Sequence, residues 1–274
     1  MTALGPGTRA ERIAALGFDY AAEPKVRVER CNLCGESVFI GLTHRDRYGY
    51  PAVTSGCSRC GLVFLDPVMT REAYAAFYTR TYRPLVSAFH GRLIDARTIQ
   101  QEQREYAAER GDLLARYLSG HEHRTLLDIG GSTGVVADAL ASRFDLRATV
   151  IDPAPLETLQ AQALGIETME GLVEDVDLGT RRFDVVVLCQ TVDHLLDTAG
   201  TLARVRQLLT PGGLLFVDIV DFRAAYLRNW SIEDAVKVDH PYYLTEATMV
   251  AYLVRAGFEI VRSDYPADHL HVSY

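Results

Sequence analysis

The sequence predicts an α/β fold in which a doubly wound, mostly parallel, seven-stranded sheet follows a small cysteine-bearing unit and a helical linker. Three observations support this prediction. From residue 125 onwards, short apolar runs alternate with helical segments, a pattern typical of parallel sheets with helices on both faces. One of these runs leads directly into a glycine-rich turn and then into a helix. Two Cys-x-x-Cys pairs lie close together near the start of the chain.

The strands of the main sheet are predicted from their apolar runs. They lie near 125–129, 147–151, 166–169, 183–189, 213–219, 258–263 and 269–273. Only the short segment 264–268 joins the last two, and we therefore expect the final strand to run antiparallel. Ligands of such sheets bind beyond the carboxyl ends of the strands. Gly130, Asp152 and Gln190 all fall at those ends, which predicts that they line one pocket.

The rest of the chain divides into segments with distinct patterns. We predict an N-terminal arm over 1–24, a ribbon over 25–68, a helical linker or lid over 69–122 and the main domain over 123–274. Hydrophobic periodicity predicts helices at 9–16, 70–82, 94–118 and 246–256, and strands of the ribbon at 37–42 and 61–65.

Composition restricts the class of protein. The chain has 274 residues, of which 48% are hydrophobic, and this is enough material for one full globular domain with an appendage. Its formal net charge of −8 gives a field that repels phosphate backbones, which argues against a nucleic-acid partner. No apolar run has the length of a signal peptide or a membrane span. We therefore expect a cytoplasmic protein with no membrane contact, whose oligomeric state the sequence leaves open.

The cysteine pairs predict a structural zinc site. Cys31 and Cys34 form one Cys-x-x-Cys pair, Cys57 and Cys60 form the other, and a glycine follows each pair. Tetrahedral Zn²⁺ takes four thiolates, and such pairs each direct two sulfurs at one point. The alternatives are a redox dithiol or disulfides, and a cytoplasmic location argues against stable disulfides. Cys189 ends an apolar strand and is either a small buried residue or a cofactor contact.

The glycine turn predicts a nucleoside-binding site. Residues 126–134 have the sequence Leu-Leu-Asp-Ile-Gly-Gly-Ser-Thr-Gly, and the next apolar run ends in Asp152. An acid at such a strand terminus can accept hydrogen bonds from ribose hydroxyls. No register of the turn supplies Gly-x-Gly-x-x-Gly, so nicotinamide and flavin dinucleotides fit poorly. S-adenosylmethionine fits better.

These motifs resemble the class I S-adenosylmethionine-dependent methyltransferases. The first motif of that family, Asp/Glu-x-Gly-x-Gly-x-Gly, is matched by Asp128, Gly130, Ser132 and Gly134, with Ser132 in place of the middle glycine. The deoxysugar C-methyltransferases carry a polar Asn in that slot. The resemblance continues through residues 183–189, the Asp193-His194 pair and residues 209–217, which match the fourth strand of the family, the residues after it and the turn into the fifth strand.

The resemblance implies a set of cofactor contacts. Asp128 is expected to bond the amino group of S-adenosylmethionine, and Asp152 its ribose. The other expected contacts are Gly130, Gly131, Ser132 and Gly134 in the turn, Leu172 and Val173 beside adenine with Glu174 or Asp175 near its amine, Gln190 beside the methionine portion, and Tyr78, Tyr82 and Arg83 in a lid. The alternative for the aromatic residues, which recur at helical spacing with Tyr74 and Phe77, is a helix face packed on the core.

Methyl transfer needs alignment and removal of a proton, so the active site is expected to contain a base. Deoxysugar C-methyltransferases have an acid-His pair that Asp239 and His240 match, which implies that His240 is the general base. Alternatively, this pair caps the helix that follows and holds a lid. His194, beside Asp193, either contacts the substrate or is structural. Trp230 could form a wall of the acceptor site or serve as a packing anchor.

Together these features predict an S-adenosylmethionine-dependent methyltransferase with an N-terminal zinc ribbon. The small-molecule acceptor is expected to be a sugar, a nucleotide sugar or a related natural-product or glycan precursor. Deoxysugar C-methyltransferases usually carry a further C-terminal domain, which the sequence lacks, and O-methylation is therefore expected as well as C-methylation. Two alternatives remain: methylation of a base in ribosomal or transfer RNA, and a non-catalytic zinc-containing scaffold that binds the cofactor.

Overall fold

The structure is a computed structural model that describes residues 7–119, 122–266 and 268–274. The first six residues of the predicted N-terminal arm therefore lie outside the described part of the chain. None of the helices in the described part has the length and apolar character that a membrane span requires.

The N-terminal region contains one short helix and two small sheets. Helix α1 spans Arg9–Ala14, and strand β1 (Lys25–Val26) pairs antiparallel with β5 (Val68–Met69). Strands β2 (Phe39–Thr43), β3 (Thr54–Cys57) and β4 (Val63–Leu65) form an antiparallel meander that carries the second cysteine pair. The two predicted ribbon strands correspond to β2 and β4, and β3 lies between them.

Four helices connect this region to the main sheet. They are α2 (Arg71–Arg80), α3 (Tyr82–His90), α4 (Ala96–Glu102) and α5 (Arg104–Leu118). The predicted helix at 70–82 corresponds to α2, and α3 was not predicted, whereas the predicted helix at 94–118 is divided into α4 and α5. Thr81 separates α2 from α3, and the break between α4 and α5 is at Gln103, whose backbone leaves helical geometry with φ −86° and ψ 2°. Side-chain caps start α2 and α4, because Thr70 and Asp95 each accept a hydrogen bond from the first turn.

The main sheet confirms the predicted doubly wound architecture. Its strands are β6 (Thr125–Ile129), β7 (Arg147–Asp152), β8 (Glu167–Glu170), β9 (Phe183–Cys189), β10 (Leu209–Val220) and β12 (His271–Ser273), in the spatial order β12-β10-β9-β6-β7-β8. Helices α6 (Val135–Phe144), α7 (Pro155–Ala163), α8 (Thr198–Leu208) and α11 (Glu246–Arg255) connect them. All neighbouring strands are parallel except β12, which runs antiparallel to β10 as expected.

The predicted strand at 258–263 is not formed, and the main sheet has six strands rather than seven among the described residues. The segment is extended, and its side chains alternate between exposed and half-buried, with Phe258 and Ile260 packed on the core. This alternation gives the period-two pattern of a strand. The backbone, however, pairs with the sheet only beyond the segment, in a single bridge between Asp264 and Ser273.

The ribbon and the main domain share one core and one sheet. Strand β11 (Tyr242–Tyr243), which belongs to the main domain, pairs antiparallel with β4 and extends the ribbon meander to four strands. Cys31 and Phe64 of the ribbon lie in the same buried apolar cluster as Ile129 of the main sheet. Helices α9 (Phe222–Asn229) and α10 (Ile232–Ala235) lead from the main sheet to β11. The ribbon is therefore attached to the segment immediately after His240.

Candidate active site

The glycine turn after β6 has the backbone conformation that its glycines predict. Gly130 and Gly134 have φ angles of 71° and 75°, in the left-handed region that favours glycine. A Cβ atom on Gly130 would lie 2.5 Å from Thr191 Cγ2, and one on Gly131 would lie 2.7 Å from Asp128 Cγ. The turn therefore approaches its neighbours so closely that no side chain fits at these positions.

Ser132 connects the turn to two other elements. Its φ is 50°, so it adopts the left-handed conformation without being glycine. Its N–H donates to Asp152 Oδ2 at 2.9 Å, and its hydroxyl accepts from Arg83 Nη2 of α3 at 3.1 Å. Arg83 also donates to Glu157 at 2.6 Å. The serine that departs from the family motif is thus the point at which the predicted lid contacts the turn.

Two buried carboxylates lie under and beside the turn. Asp152 accepts from Ser132 and from the N–H of Ala154, and burial raises the pKa of Asp152 to about 6. Asp128 is 1% exposed, and neither of its carboxylate oxygens has a hydrogen-bond partner among the described residues. Burial, together with the charges of Asp152 and Asp218, raises the pKa of Asp128 to about 7. A cationic ligand group near the turn would stabilise the ionised form of Asp128.

A cavity of about 230 Å³ opens at the carboxyl ends of the parallel strands. It brings together most of the residues predicted to bind cofactor or acceptor. These are Tyr78, Tyr82, Arg83, Gly130, Ser132, Asp152, Leu172, Val173, Glu174, Cys189, Gln190, His194 and His240. Gln103 and Tyr106 of the linker helices also line the cavity, and the sequence did not indicate them.

Other predicted residues lie outside the cavity wall. Asp128 and Gly131 are in contact beneath the turn, and Gly134 packs against α7, where an added Cβ would lie 2.8 Å from Ala161. Asp175 pairs with Arg71 at the surface, so of the two acids proposed near adenine only Glu174 lines the cavity. Trp230 is 75% exposed and does not line the cavity, so it does not form the wall that was considered for it.

The tyrosines of the linker contribute both to the core and to the cavity wall. Tyr74 and Phe77 are buried in a core cluster, as their helical spacing predicts. Tyr78 of α2 and Tyr82 of α3 lie at the cavity, and their rings are 5.4 Å apart and edge to face. This part of the linker therefore packs on the core at its start and lines the cavity at its end.

His240 is paired with an acid from a distant part of the chain. Its Nδ1 lies 2.9 Å from Asp193 Oδ2, and both side chains are buried. Although burial opposes the shift, the charges of His240 and His194 hold the pKa of Asp193 far below its usual range. The sequence paired His240 with Asp239, and only the structure identifies Asp193 as its closest acidic partner.

Asp239 lies on the other side of the His240 ring. Its Oδ2 is 3.4 Å from His240 Nε2 and 3.8 Å from Lys237 Nζ. Within the described residues, His240 Nε2 is buried without a hydrogen-bond partner. Burial acts against the ionised form of Asp239, but Lys237 and the two histidines lower its pKa. Lys237 also lines the cavity, and the sequence analysis did not identify it.

His194 completes a compact cluster with Asp193 and His240, in which the potential ligand atoms lie within 4.8 Å of one another. Its Nδ1 is 2.9 Å from the Tyr78 hydroxyl and 3.0 Å from the carbonyl oxygen of Asp239. Burial and the neighbouring His240 lower the pKa of His194 to about 4. His194 is therefore neutral at physiological pH, and its contacts join Tyr78 of α2 to the loop that carries His240.

The four predicted zinc ligands converge at one point. Cys31 Sγ lies 3.5 Å from Cys60 Sγ, and Cys34 Sγ lies 3.5 Å from Cys57 Sγ. All four sulfurs are within 4.8 Å of one another. The turns close through hydrogen bonds from the N–H of each following glycine to the first cysteine of its pair. Four thiolates at this spacing are a donor set that suits tetrahedral zinc.

A glycine turn, an acid at the end of the next strand and a cavity at the carboxyl edge of the sheet define a nucleoside-binding α/β protein with a buried acid-histidine pair. Residues 99–263, more than half of the chain, match the family described as "Methyltransferase domain", and the chain belongs to this family. It is an S-adenosylmethionine-dependent methyltransferase with the class I fold. The resemblance inferred from the turn and the strand motifs is confirmed at this level.

Curated relatives agree with this family, and a solved structure shares the fold. The chain is 27% identical over 173 residues to the ubiquinone biosynthesis O-methyltransferase of Azorhizobium caulinodans, which covers 54% of this chain and 67% of the relative. It is 33% identical over 103 residues to the enzyme of that name from a Methylobacterium species, and the aligned part covers 35% of this chain and 41% of that relative. An O-methyltransferase family protein from Burkholderia thailandensis superposes with a TM-score of 0.54 at 17% identity, covering 74% of this chain and 61% of the other, and supports the fold alone.

Proposed function

We propose that this methyltransferase acts on a sugar, a nucleotide sugar or a related small hydroxylated or keto compound, with His240 as the general base. The observation that carries the proposal is the position of His240. Asp193 holds one ring nitrogen, and the other is buried without a hydrogen-bond partner among the described residues, beside the cavity that also contains the glycine turn. A base must lie within reach of the proton that it removes, and this nitrogen is the candidate.

The residues around the turn fit S-adenosylmethionine, which supplies an electrophilic methyl group. In this proposal Asp128 provides the negative charge that favours the ammonium group, and Asp152 accepts from the ribose hydroxyls. Leu172 and Val173 provide an apolar surface for adenine. The unpartnered oxygens of Asp128 support the assignment, because a buried carboxylate without partners is costly unless a ligand satisfies it.

The polarity of the inner wall supports a hydroxylated acceptor. Asp193, Lys237, His194 and His240 all line the cavity, so a ligand there meets charged and hydrogen-bonding groups. The resemblance to deoxysugar C-methyltransferases in the turn and in the acid-His pair favours a sugar. The net charge of −8 favours a small acceptor over a nucleic acid.

A second candidate acceptor is a phenolic ring. The relatives named ubiquinone biosynthesis O-methyltransferases favour this alternative. The aromatic residues Tyr78, Tyr82 and Tyr106 on the cavity wall suit a planar ring as well as a sugar. Both candidates require a base near the acceptor hydroxyl, so the role of His240 is the same for each.

We also propose that Cys31, Cys34, Cys57 and Cys60 hold a structural Zn²⁺. The convergence of the four sulfurs supports this proposal. The metal would hold the two cysteine turns together, and structural zinc contributes folding energy.

The acceptor is tested with S-adenosylmethionine that carries an isotopically labelled methyl group. The purified chain is incubated with nucleotide sugars in one set of reactions and with dihydroxylated phenols in another, and products are identified by mass spectrometry. Label in a nucleotide sugar supports the first candidate. Label in the phenols alone replaces it with the second, and no labelled product from either set overturns both.

A further inference from the structure

Lysine is rare in this protein. Lys25 and Lys237 are the only lysines among 28 basic Lys and Arg residues. Arginine remains charged at all accessible pH values and presents a broad planar group, whereas lysine is a compact point charge. Because almost all basic residues of this chain are arginines, the two positions that carry lysine call for a structural or functional explanation.

Lys25 has a structural explanation. Its ammonium donates to the carbonyl oxygens of Glu23 at 3.0 Å and Ala21 at 3.3 Å, and it also donates to the carbonyl of Tyr20. It lies 4.2 Å from the centre of the Tyr20 ring. These contacts close the turn before β1, and Lys25 is not one of the residues that line the cavity.

Lys237 has no comparable set of contacts within the described part of the chain. Its side chain is 21% exposed and lines the cavity, and its ammonium lies 3.8 Å from Asp239 Oδ2, beyond the usual length of a hydrogen bond. Burial lowers the pKa of Lys237, and the nearby Asp239 opposes this shift. The cation therefore lies in a poorly solvated site, where its field acts strongly on a neighbouring group.

The backbone around Lys237 is held in place by side chains. The N–H of Lys237 donates to the Tyr243 hydroxyl at 2.9 Å, and that hydroxyl donates to the Lys237 carbonyl at 2.6 Å. The next N–H, of Val238, donates to Asp46 Oδ2 at 2.9 Å. The ribbon loop and β11 thus fix the position from which the lysine side chain extends, and a position fixed in this way suits a residue that must meet a ligand accurately.

We propose that Lys237 is a catalytic residue whose ammonium contacts the acceptor oxygen that becomes negative during the reaction. Lys237 Nζ and His240 Nε2 are both close to the same oxygen, Asp239 Oδ2, at 3.8 Å and 3.4 Å. The base and the cation therefore lie in one region of the cavity. The proton of the acceptor passes to His240 Nε2, and the electron pair left behind forms the new bond to the methyl group. The bond from that methyl group to the sulfonium sulfur would break with its electron pair left on sulfur, so that S-adenosylhomocysteine is the leaving group. Lys237 transfers no proton; it stabilises the charge on a hydroxyl oxygen, or on the oxygen of an enolised ketone.

This inference rests on the proposed function, and it narrows the acceptor to a compound with a hydroxyl or carbonyl oxygen at the reaction centre. The competing explanation is that Lys237 only neutralises Asp239. A preorganised charge at the site of a developing oxyanion is worth about 10²–10³ in rate. Neutralisation of a buried acid would instead affect stability.

The test compares Lys237→Met with Lys25→Met, using whichever compound of the sugar and phenol sets the parent chain methylates. Lys237→Met should lower kcat by about 10² or more with little change in the affinity for S-adenosylmethionine. Lys25→Met should leave kcat unchanged. The double variant Lys237→Met/Asp239→Asn removes both charges and should recover melting temperature without recovering kcat. Recovery of kcat in the double variant, or full kcat in Lys237→Met, overturns the proposal.

Chemical modification of the parent chain covers the case in which Lys237→Met does not fold. Graded acetic anhydride acetylates lysines, and peptide mass spectrometry measures the modified fraction at each of the two. Loss of activity should follow acetylation of Lys237 and not of Lys25. Activity that survives complete acetylation of Lys237 overturns the proposal, whereas a parent chain that methylates no compound in either set overturns the proposed function instead.

Discussion

Asp193 Oδ2 lies 2.9 Å from His240 Nδ1, so that an acid just after strand β9 holds a histidine from the segment between α10 and β11. Both side chains are buried. A carboxylate on one ring nitrogen places the ring proton there and leaves the other nitrogen as an acceptor. The contact therefore sets the orientation of His240 and its capacity to take a proton.

Asp193→Asn should disrupt this arrangement while preserving its shape. The amide can donate to Nδ1 and would then favour the tautomer with its proton on Nε2, which cannot act as a base. We expect kcat to fall by about 10² or more. Calorimetry should find the affinity for S-adenosylmethionine nearly unchanged, because Asp193 is not among the residues assigned to the cofactor. A parental kcat would separate Asp193 from the reaction.

His240→Gln should slow methyl transfer by about 10²–10⁴, the usual contribution of a positioned base. Single-turnover measurements with labelled S-adenosylmethionine isolate the transfer step from product release. His44 is exposed in the ribbon loop, and His44→Gln provides the matched control with full activity expected. Equal rates in the two variants would assign His240 a structural role.

The glycine turn and the cavity beside it could be predicted from sequence because their determinants are local. Gly130 and Gly134 need their residue type for the turn itself, and Asp152 follows a strand whose apolar residues are contiguous. Parallel strands present their carboxyl ends at one edge, so residues at those ends meet without further information. The positions of Leu172 and Gln190 on the same cavity follow from the same rule.

The partner of His240 could not be predicted in this way. Asp239 precedes His240 in sequence and was therefore paired with it, whereas Asp193 reaches Nδ1 only through the packing of two distant loops. The addition of β11 to the ribbon sheet also depends on tertiary packing, because a two-residue strand has no detectable periodicity. The segment 258–263 shows the opposite limitation, since its apolar residues predict a strand that forms no ladder.

Asp128 predicts a pH dependence of stability. Burial raises the pKa of Asp128 from 3.8 to about 7, so between these values the folded chain keeps a proton that the unfolded chain has lost. The stability that the fold has with a protonated Asp128 is fully present below pH 3.8 and is lost as the pH rises through about 7. Asn cannot ionise, so Asp128→Asn should be more stable than the parent at pH 8.

Melting curves of the parent and of Asp128→Asn across this range measure the effect. The gain from Asn should grow from pH 4 to about pH 7 and then level off. At pH 8 it should reach at least about 3 °C, the shift that about 1 kcal/mol produces in a chain of this size. The same variant should bind S-adenosylmethionine more weakly. A gain that does not vary with pH would place the titrating proton elsewhere.

Zinc should influence the active site through the ribbon. Strand β4 pairs with β11, and the N–H of Leu65 donates to the carbonyl of Pro241 at 3.0 Å, directly after His240. Cys57→Ser removes one ligand, so the zinc content found by metal analysis should fall below one ion per chain, and the melting temperature should drop. Because β4 then loses its support, we also expect kcat to decrease while S-adenosylmethionine still binds the glycine turn.

Ser58→Ala, next to the ligand, should retain zinc and activity. A parent chain without zinc, or a Cys57→Ser variant with full melting temperature, would contradict the structural role of the metal.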